Sequence, residues 1–479
     1  MHSLLCETVT GRTMAELVAA RDAARGADMV ELRLDGVRDL DIATALAGRR
    51  VPAIVTCRPT WEGGRFDAPE ERRRGLLRQA LDLGAEYVDV EWRADFDDLI
   101  RDHPDRMVVS AHDFAGVPPD LAEQARAMRQ TGAAVIKVAV TPSKLSETLP
   151  LIDIARGGRA VVVGMGDHGV PSRLLATRFG SEWSYGGNAA APGQIPVRRM
   201  VDEFRFQAIG TTTAIYGVVG NNVMHSLSPV MHNAAFAAAG IDAVYVPFPA
   251  ADFEDFLTFA SALGVSGASV TIPFKVDALT AAADADPLTE TVGAANTLRR
   301  EGVRWKATNT DVDGFLRPLD EVYPGSLAGA RAAVIGAGGA ARAVVVALMS
   351  RGARVTVHAR RLEQSKEIAG VFGAQAGPWP PTPGTWDLLV NTTPLGGPTG
   401  RDASPLPGGP FDGRFVYDVT YGDHESPLVR EAREGGCITL DGLPMLVAQA
   451  ERQFEWWTGQ RPGDGVMRAA AAHKMGAVA

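Results

Sequence analysis

Through residues 4–206, short runs of β-branched and apolar residues alternate with stretches whose apolar positions recur every three or four residues. The runs are LLCETV (4–9), MVELRLD (29–35), PAIVTCR (52–58), YVDVEW (87–92), MVVSAHD (107–113), VIKVAV (135–140), AVVVGMG (160–166) and a weaker EWSYG (182–186). Between them lie amphipathic segments such as Pro69–Leu83 and Pro119–Gln130. Near-continuous apolar strands separated by helices are the pattern of a parallel sheet covered on both faces. An open doubly wound sheet shares this rhythm, but eight such units favour a (β/α)8 barrel of the TIM type.

A helix over Pro196–Phe206 leads into FQAIGTTT (206–213), a Gly/Thr stretch that marks a boundary. The pattern restarts at AIYGVVG and a second α/β block runs to about Tyr323. The segment AAVIGAGGAARAVVVALMSRGARVTVHARR then reads as strand, glycine turn, helix and second strand. Gly377–Gly384 is a loop by composition, and a last helix over Pro444–Thr458 carries Gln449 and the pair Trp456–Trp457.

With 479 residues, 46% of them hydrophobic and 22% charged, the chain supports two or three packed domains. A net charge of −9 argues against a general nucleic-acid partner, but local arginines still suit anionic substrates. Cys6, Cys57 and Cys437 lie far apart, which points to a reducing compartment and away from a disulfide framework or structural zinc. The opening MHSLLCETVTGRT lacks a basic stretch followed by a long apolar run, and no segment has the length of a membrane span. The cytoplasm is the expected location.

The candidate chemistry of the first part centres on Lys137. Strand alternation puts it on one face with Val135 and Ala139, where desolvation favours the neutral, nucleophilic amine that forms imines with ketones. A lysine at a strand end that snorkels to solvent is the alternative. Other strands add His112 in SAHDF, a proton-transfer group; Glu31, Arg33 and Asp35 at period two; Arg58 and Glu62 in TCRPTWEGG; Asp89 and Glu91; and Arg173 in GVPSRL. One such charge could be a structural ion pair. So many at the same ends of apolar strands read as a site.

In the second part, GAGGAAR (336–342) between strand and helix is a phosphate-binding turn, or alone a plain tight turn. Arg360 and Arg361 end the next strand where NAD-specific folds tend to carry an acid, and they suit the extra phosphate of NADP; a solvated basic turn is the other reading. Ser226 and Ser228 in HSLSP offer paired hydroxyls, or a helix cap. Lys275 in VTIPFK, Asn296 in GAANTL, and Asn309 and Asp311 in ATNTDVDGF complete the set. A lysine beside an aspartate is an ion pair or, next to a nicotinamide, a manager of the proton that accompanies hydride transfer.

Residues 4–206 resemble type I 3-dehydroquinate dehydratase, through VELRLD, TCRPTWEGG, the SAHDF histidine, the VIKVAV lysine, SRL, FGS and APGQI. The resemblance implies that Lys137 forms an imine with the C3 ketone of 3-dehydroquinate. It makes His112 the general acid/base, assisted by Glu62, and Arg173 the clamp on the substrate carboxylate. Glu31, Arg33 and Arg58 order the pocket, and Gln194 closes over it. Ala190 stands where the family's loop has serine, a loss of one hydrogen bond worth on the order of 1 kcal/mol.

Residues 213–460 resemble shikimate dehydrogenase, through HSLSP, VTIPFK, GAANT, NTD, GAGGAAR, NTTPLG, YDVTY and GLPMLVAQA. This implies a Lys275–Asp311 catalytic pair, with Ser226, Ser228, Thr271, Asn296, Tyr421 and Gln449 holding substrate. NADP would lie against Gly336, Ala337, Gly338, Gly339, Ala340, Arg342, Arg360, Arg361, Asn391, Thr392 and Thr393. The departures are Asn221-Asn222 before the HS motif, Ser269 before VT, Ala359-Arg360-Arg361 with Gln364 in the cofactor signature, and Gly397 after NTTPLG.

The order of the two halves is that of the bifunctional dehydroquinate dehydratase–shikimate dehydrogenases. The domains implied are 1–208, 209–323 joined by 444–479, and a Rossmann domain at 324–443. The expected reactions convert 3-dehydroquinate to 3-dehydroshikimate and then to shikimate with NADPH, without metal. Preference for quinate or NAD, and a metabolite sensor that has lost catalysis, are the rival readings. The partners are small molecules rather than nucleic acid or membrane, and a monomer is compatible with the sequence.

Overall fold

A computed structural model describes residues 2–187, 192–397 and 400–476. The chain divides into two compact units, one of residues 1–214 with 246–264 and the other of residues 215–245 with 265–479.

The first unit holds eight parallel strands: β1 Leu4–Thr10, β2 Met29–Arg33, β3 Ala53–Thr56, β4 Tyr87–Glu91, β5 Met107–Asp113, β6 Val135–Val140, β7 Ala160–Gly164 and β8 Trp183–Gly187. Their order is β7-β6-β5-β4-β3-β2-β1-β8, a nearly closed barrel. At the β7/β8 seam, Glu182 N donates to Ala160 O at 2.9 Å and Val162 N donates to Ser181 Oγ at 3.1 Å. EWSYG, the weakest of the eight patterns, is therefore the strand that meets both ends of the sheet.

The interior is packed by Cys6, Val108, Val135, Ala139, Val161, Met165, Trp183 and Tyr185. Because Val135 and Ala139 face inward, the alternation of β6 turns Lys137 inward with them. The period-two reading of Glu31, Arg33 and Asp35 holds only through Arg33, since Leu34–Gly36 turns into a 3-10 helix. There Asp35 curls back to accept from Arg33 at 2.8 Å and 3.0 Å.

Two helices matter to the site. α1 (Glu70–Asp82) has acidic Glu70 and Glu71 in its first turn, which suits the helix dipole, and buries Arg73, Leu77, Ala80 and Leu81 on one face. α2 (Gly166–Leu174) comes so close to β7 that a Cβ on Gly169 would lie 2.2 Å from the carbonyl carbon of Gly164.

The next sheet is formed by β9 (Ala214–Gly220), β10 (Ala243–Pro249), β11 (Val265–Val270), β12 (Asp284–Ala285), β13 (Thr297–Glu301) and β14 (Arg304–Thr308), in the order β10-β9-β11-β13-β14-β12. A second sheet has β15 (Arg331–Ile335), β16 (Arg354–His358), β17 (Gln375–Gly377), β18 (Leu388–Asn391), β19 (Phe415–Asp418) and β20 (Ile438–Leu440). These six parallel strands run β17-β16-β15-β18-β19-β20, a Rossmann-type order with its switch point between β15 and β18. The helices that frame the site are α3 (Ser228–Ala238), α4 (Lys275–Ala281), α5 (Asp311–Val322), α6 (Gly339–Ser350) and α7 (Leu443–Thr458). Among the described residues no helix is long and apolar enough to cross a membrane.

His232 on α3 is fully buried, with its ring stacked on Tyr245 at 4.4 Å and tilted against Trp457 at 5.2 Å. Burial pushes its pKa down to about 3, and interaction with the Gln453 side chain offsets only part of this. The unfolded chain takes up this proton near pH 6.5 and the folded chain does not. The associated stability is complete above pH 6.5 and is lost as pH falls towards 3. Between pH 7 and 4.5 the loss should be about 2–3 kcal/mol for this unit. Hydrogen exchange of α3 at the two pH values, in wild type and His232→Phe, checks this. An equal pH dependence in both proteins would refute it.

Candidate active sites

Glu31, Arg33, Arg58, Glu62, His112, Lys137, Arg173 and Gln194 line one cavity of about 80 Å³ in the barrel, whereas Asp35, Asp89 and Glu91, also expected at this site, do not line it. Lys137 Nζ is 3.2 Å from Asp89 Oδ2, 3.5 Å from Glu31 Oε1 and 4.3 Å from the centroid of the Tyr185 ring. The snorkelling alternative fails, because Lys137 is only 6% exposed. Glu31 also accepts from Thr8 and Thr56, and Arg58 bridges Asp89 at 2.8 Å and Glu91 at 2.6 Å. Burial would raise the Asp89 carboxyl, but the cations of Arg58 and then Lys137 overcome it and hold Asp89 well below the usual range. Glu31 is lowered in the same way, against its burial, chiefly by Lys137.

His112 lies at the carboxyl end of β5. Its backbone N donates to Glu62 Oε1 at 2.9 Å, and its Nδ1 is 3.4 Å from the same oxygen. Burial, then the cations of Arg58 and Lys137, push His112 well below the ordinary histidine range. Glu62 is raised by burial against the pull of the His112 amide. The pair is thus a neutral imidazole beside a carboxyl with raised proton affinity. Arg173, on α2, reaches Gly164 O and Pro192 O at 3.2 Å each. Among the described residues it has no carboxylate partner, and burial lowers it to about 10. The close approach of Gly164 and Gly169 is what brings this guanidinium to the rim. Gln194 Nε2 donates to Gly186 O at 3.1 Å, and Ala190 lies outside the described residues.

In the second unit a cavity of about 510 Å³ is lined by Ser226, Ser228, Thr271, Lys275, Asn296, Asp311, Tyr421 and Gln449, and extends to Gly338, Gly339, Ala340, Thr392 and Thr393. Lys275 Nζ donates to Asp311 Oδ2 at 2.5 Å. Asn296 Nδ2 donates to the other oxygen of Asp311 at 2.7 Å and lies 3.4 Å from Gln449 Oε1. Asn309 braces the pair from below: its Oδ1 accepts from Asp311 N at 3.0 Å and its Nδ2 donates to Ala294 O. Ser226 Oγ accepts from Ser228 N at 3.1 Å and lines the cavity, while the N-cap of α3 is Leu227, which makes no side-chain cap hydrogen bond.

The glycine turn is shaped for close approach. Gly336 has φ +116°, and a Cβ there would lie 2.4 Å from Thr392 Oγ1. Gly338 has open space where a side chain would stand, at the N-terminus of α6. Gly336, Ala337, Arg342, Arg360, Arg361 and Asn391 do not line the cavity itself. Asn391 is a buried strut between Asp418 Oδ1 and Leu395 O. Arg342 is 3.6 Å from Glu367, and Arg361 donates to Gln364 at 3.1 Å. Arg360 is exposed at the end of β16.

Sequence reasoning left out Tyr185, Ser110 and Arg73 around the first site, and Tyr245 and Gln453 around the second. Ser269 accepts from Tyr245 Oη at 2.6 Å and donates to Gln453 at 2.7 Å. Gln453 stands four residues from Gln449, so helical spacing alone places the two on one face.

Residues 5–210 match the model for the type I 3-dehydroquinase family, residues 218–298 the shikimate dehydrogenase substrate binding domain, and residues 442–472 the shikimate 5'-dehydrogenase C-terminal domain. The chloroplastic bifunctional 3-dehydroquinate dehydratase/shikimate dehydrogenase of Arabidopsis thaliana is 32% identical over 497 residues, which covers 95% of this chain and 82% of the relative. Shikimate dehydrogenase (NADP(+)) of Moorella thermoacetica is 40% identical over 288 residues, 56% of this chain and 96% of that protein. The crystal structure of shikimate 5-dehydrogenase from Thermus thermophilus, in complex with NADP(H) and shikimate, is 34% identical with a TM-score of 0.50, and the match covers 54% of this chain and 99% of that one. Two lysine-centred cavities, one in a barrel and one beside a Rossmann-type sheet, thus coincide with relatives that pair the same two activities, and the chain belongs to the bifunctional 3-dehydroquinate dehydratase/shikimate dehydrogenase family.

Proposed function

We propose that this chain dehydrates 3-dehydroquinate at Lys137 and reduces the resulting 3-dehydroshikimate to shikimate at the Lys275–Asp311 pair. The observation that supports this most is that each lysine stands at a cavity wall beside a buried carboxylate, with the other substrate-contacting candidates around the same cavity.

In the first site the Lys137 amine adds to the C3 carbonyl and water leaves, which gives a protonated imine. That imine takes up the electron pair released when the neighbouring C–H bond breaks. The hydroxyl of the substrate then departs as a second water, and hydrolysis returns the amine. His112, held neutral, accepts and returns the protons, and Glu62 fixes its position. Arg173 offers its uncompensated charge to the substrate carboxylate.

In the second site Ser226, Ser228, Thr271, Asn296, Tyr421 and Gln449 orient the ring of the substrate, and Lys275 donates a proton to its ketone oxygen while Asp311 holds the ammonium in place. The glycine turn over Gly336–Ala340 fits NADP: it has open space at Gly338, a helix N-terminus for phosphate, and the Arg360 and Arg361 cations near the end of β16. When bound, NADPH supplies the hydride. Domain limits of 1–208, 209–323 with 444–479, and 324–443 accord with this division of labour, and the cytoplasm remains the proposed location.

Borohydride trapping with 3-dehydroquinate, followed by peptide mass mapping, should find the adduct on Lys137; an unmodified Lys137 removes the imine mechanism. Lys275→Ala should lower shikimate oxidation by about 10²–10⁴-fold and leave dehydration intact. A parallel loss of both would refute two separate sites. Turnover of shikimate should exceed that of quinate, and NADP⁺ should serve better than NAD⁺; the reverse order favours the rival readings. His112, labelled for NMR, should show no titration between pH 8 and 6. In Lys137→Met its midpoint should rise, because one opposing cation is gone. A wild-type midpoint near 6.5 would contradict this assignment.

A further inference from the structure

Arg73 lies on α1, away from the cavity, yet it is fully buried. Its Nη1 donates to Glu91 Oε2 and, at 3.3 Å, to Cys57 O; its Nε donates to Glu70 at 2.7 Å; and its guanidinium carbon is 4.6 Å from the centroid of the Phe96 ring. Glu91 gives its other oxygen to Arg58 at 2.6 Å, Arg58 reaches Asp89 at 2.8 Å, and Asp89 reaches Lys137 at 3.2 Å. The result is a continuous line of alternating charge from the barrel centre to helix α1. Its buried members are three carboxylates, Glu31, Asp89 and Glu91, and three cations, Lys137, Arg58 and Arg73, so the buried set has a formal charge of zero; Glu70, the solvent-exposed partner of Arg73, lies outside it.

We propose that Arg73 is a positioning residue for the dehydration: by balancing Glu91 it sets the pH at which Lys137 becomes a free amine. This rests on the reading of Lys137 as the imine-forming group. The groups that face Lys137 besides its ion-paired neighbours are His112 from β5, Glu62 after β3, Arg33 from β2, Arg173 from α2, Cys6 from β1 and the Tyr185 ring from β8. Arg58 is the other cation on Glu91, but it is shared with Asp89, so replacing Arg73 by a neutral residue leaves the buried set with one unbalanced negative charge. An unbalanced negative charge in this dry interior favours the ammonium over the amine. Removing Arg73 therefore moves imine formation to higher pH, and removing the charge of Glu91 moves it to lower pH. Removing both restores neutrality.

The test is the pH dependence of borohydride trapping of 3-dehydroquinate on the Lys137 peptide, in the full-length chain. Arg73→Met should raise the midpoint by about one pH unit and Glu91→Gln should lower it by a similar amount. The double variant and Arg73→Lys should lie within about 0.3 unit of wild type. A purely structural role for Arg73 would lower yield or stability without moving these midpoints in opposite directions. If wild type gives no adduct, the imine reading itself fails. If wild type traps but Arg73→Met keeps the wild-type midpoint, or the double variant stays displaced, the inference is overturned. Should Arg73→Met not fold, Glu91→Gln and the double variant carry the same test: adding Arg73→Met must bring the lowered midpoint back up, and a midpoint that stays low overturns the inference.

Discussion

A charged group removed from water must find its opposite nearby, and the first unit is organised around that constraint. The chemistry calls for an amine in a dry pocket, and the dry pocket penalises every ion brought into it. The barrel meets both demands by placing Glu31 on β2 and Asp89 on β4 against Lys137 on β6, then placing Arg58 behind Asp89. Each added ion calls for another, and the sequence of partners continues outward until Glu70, which is in contact with solvent, closes it.

The second unit solves a smaller version of the problem. Lys275 has one carboxylate, Asp311, which accepts from the Asn296 side-chain amide, while Asn309 accepts from the Asp311 backbone N–H and fixes its turn. Amides do here what cations do in the barrel: they satisfy the carboxylate without adding charge. The proton on Lys275 thus faces a cavity whose other walls are hydroxyls, amides and apolar groups. The two sites differ as the tasks proposed for them differ, since on that reading one must release a bare amine and the other must hold a proton ready for a developing alkoxide.

Much of this was legible in the residues. VIKVAV carries its lysine on the inward face because alternation in a strand is strict, and SAHDF ends a strand because its apolar run ends there. What could not be read is where a pattern stops. Period two was extended to Asp35, but the chain leaves the strand at Leu34. The helix expected over Pro196–Phe206 spans Val197–Asp202, and Arg205 sits at φ 53°, outside helical geometry. Arg73 is hidden among four arginines of one charged helix, and only its spacing from Leu77 and Ala80 marks it as inward. Asn391, expected beside the cofactor, instead ties Asp418 to the following turn, because a strand-end amide in a buried position finds backbone and carboxylate partners first.

The contact between Gly164 and Gly169 has a wider meaning for the first site. With no side chain on either residue, helix and strand are separated by little more than the thickness of their backbones. That thickness is the same in any sequence that keeps both glycines. The distance from the barrel axis to the Arg173 guanidinium is thereby fixed by main-chain packing, independent of how neighbouring side chains drift. On the role proposed for Arg173, helix α2 would act as a gauge of the distance between a substrate's carboxylate and its reacting ketone.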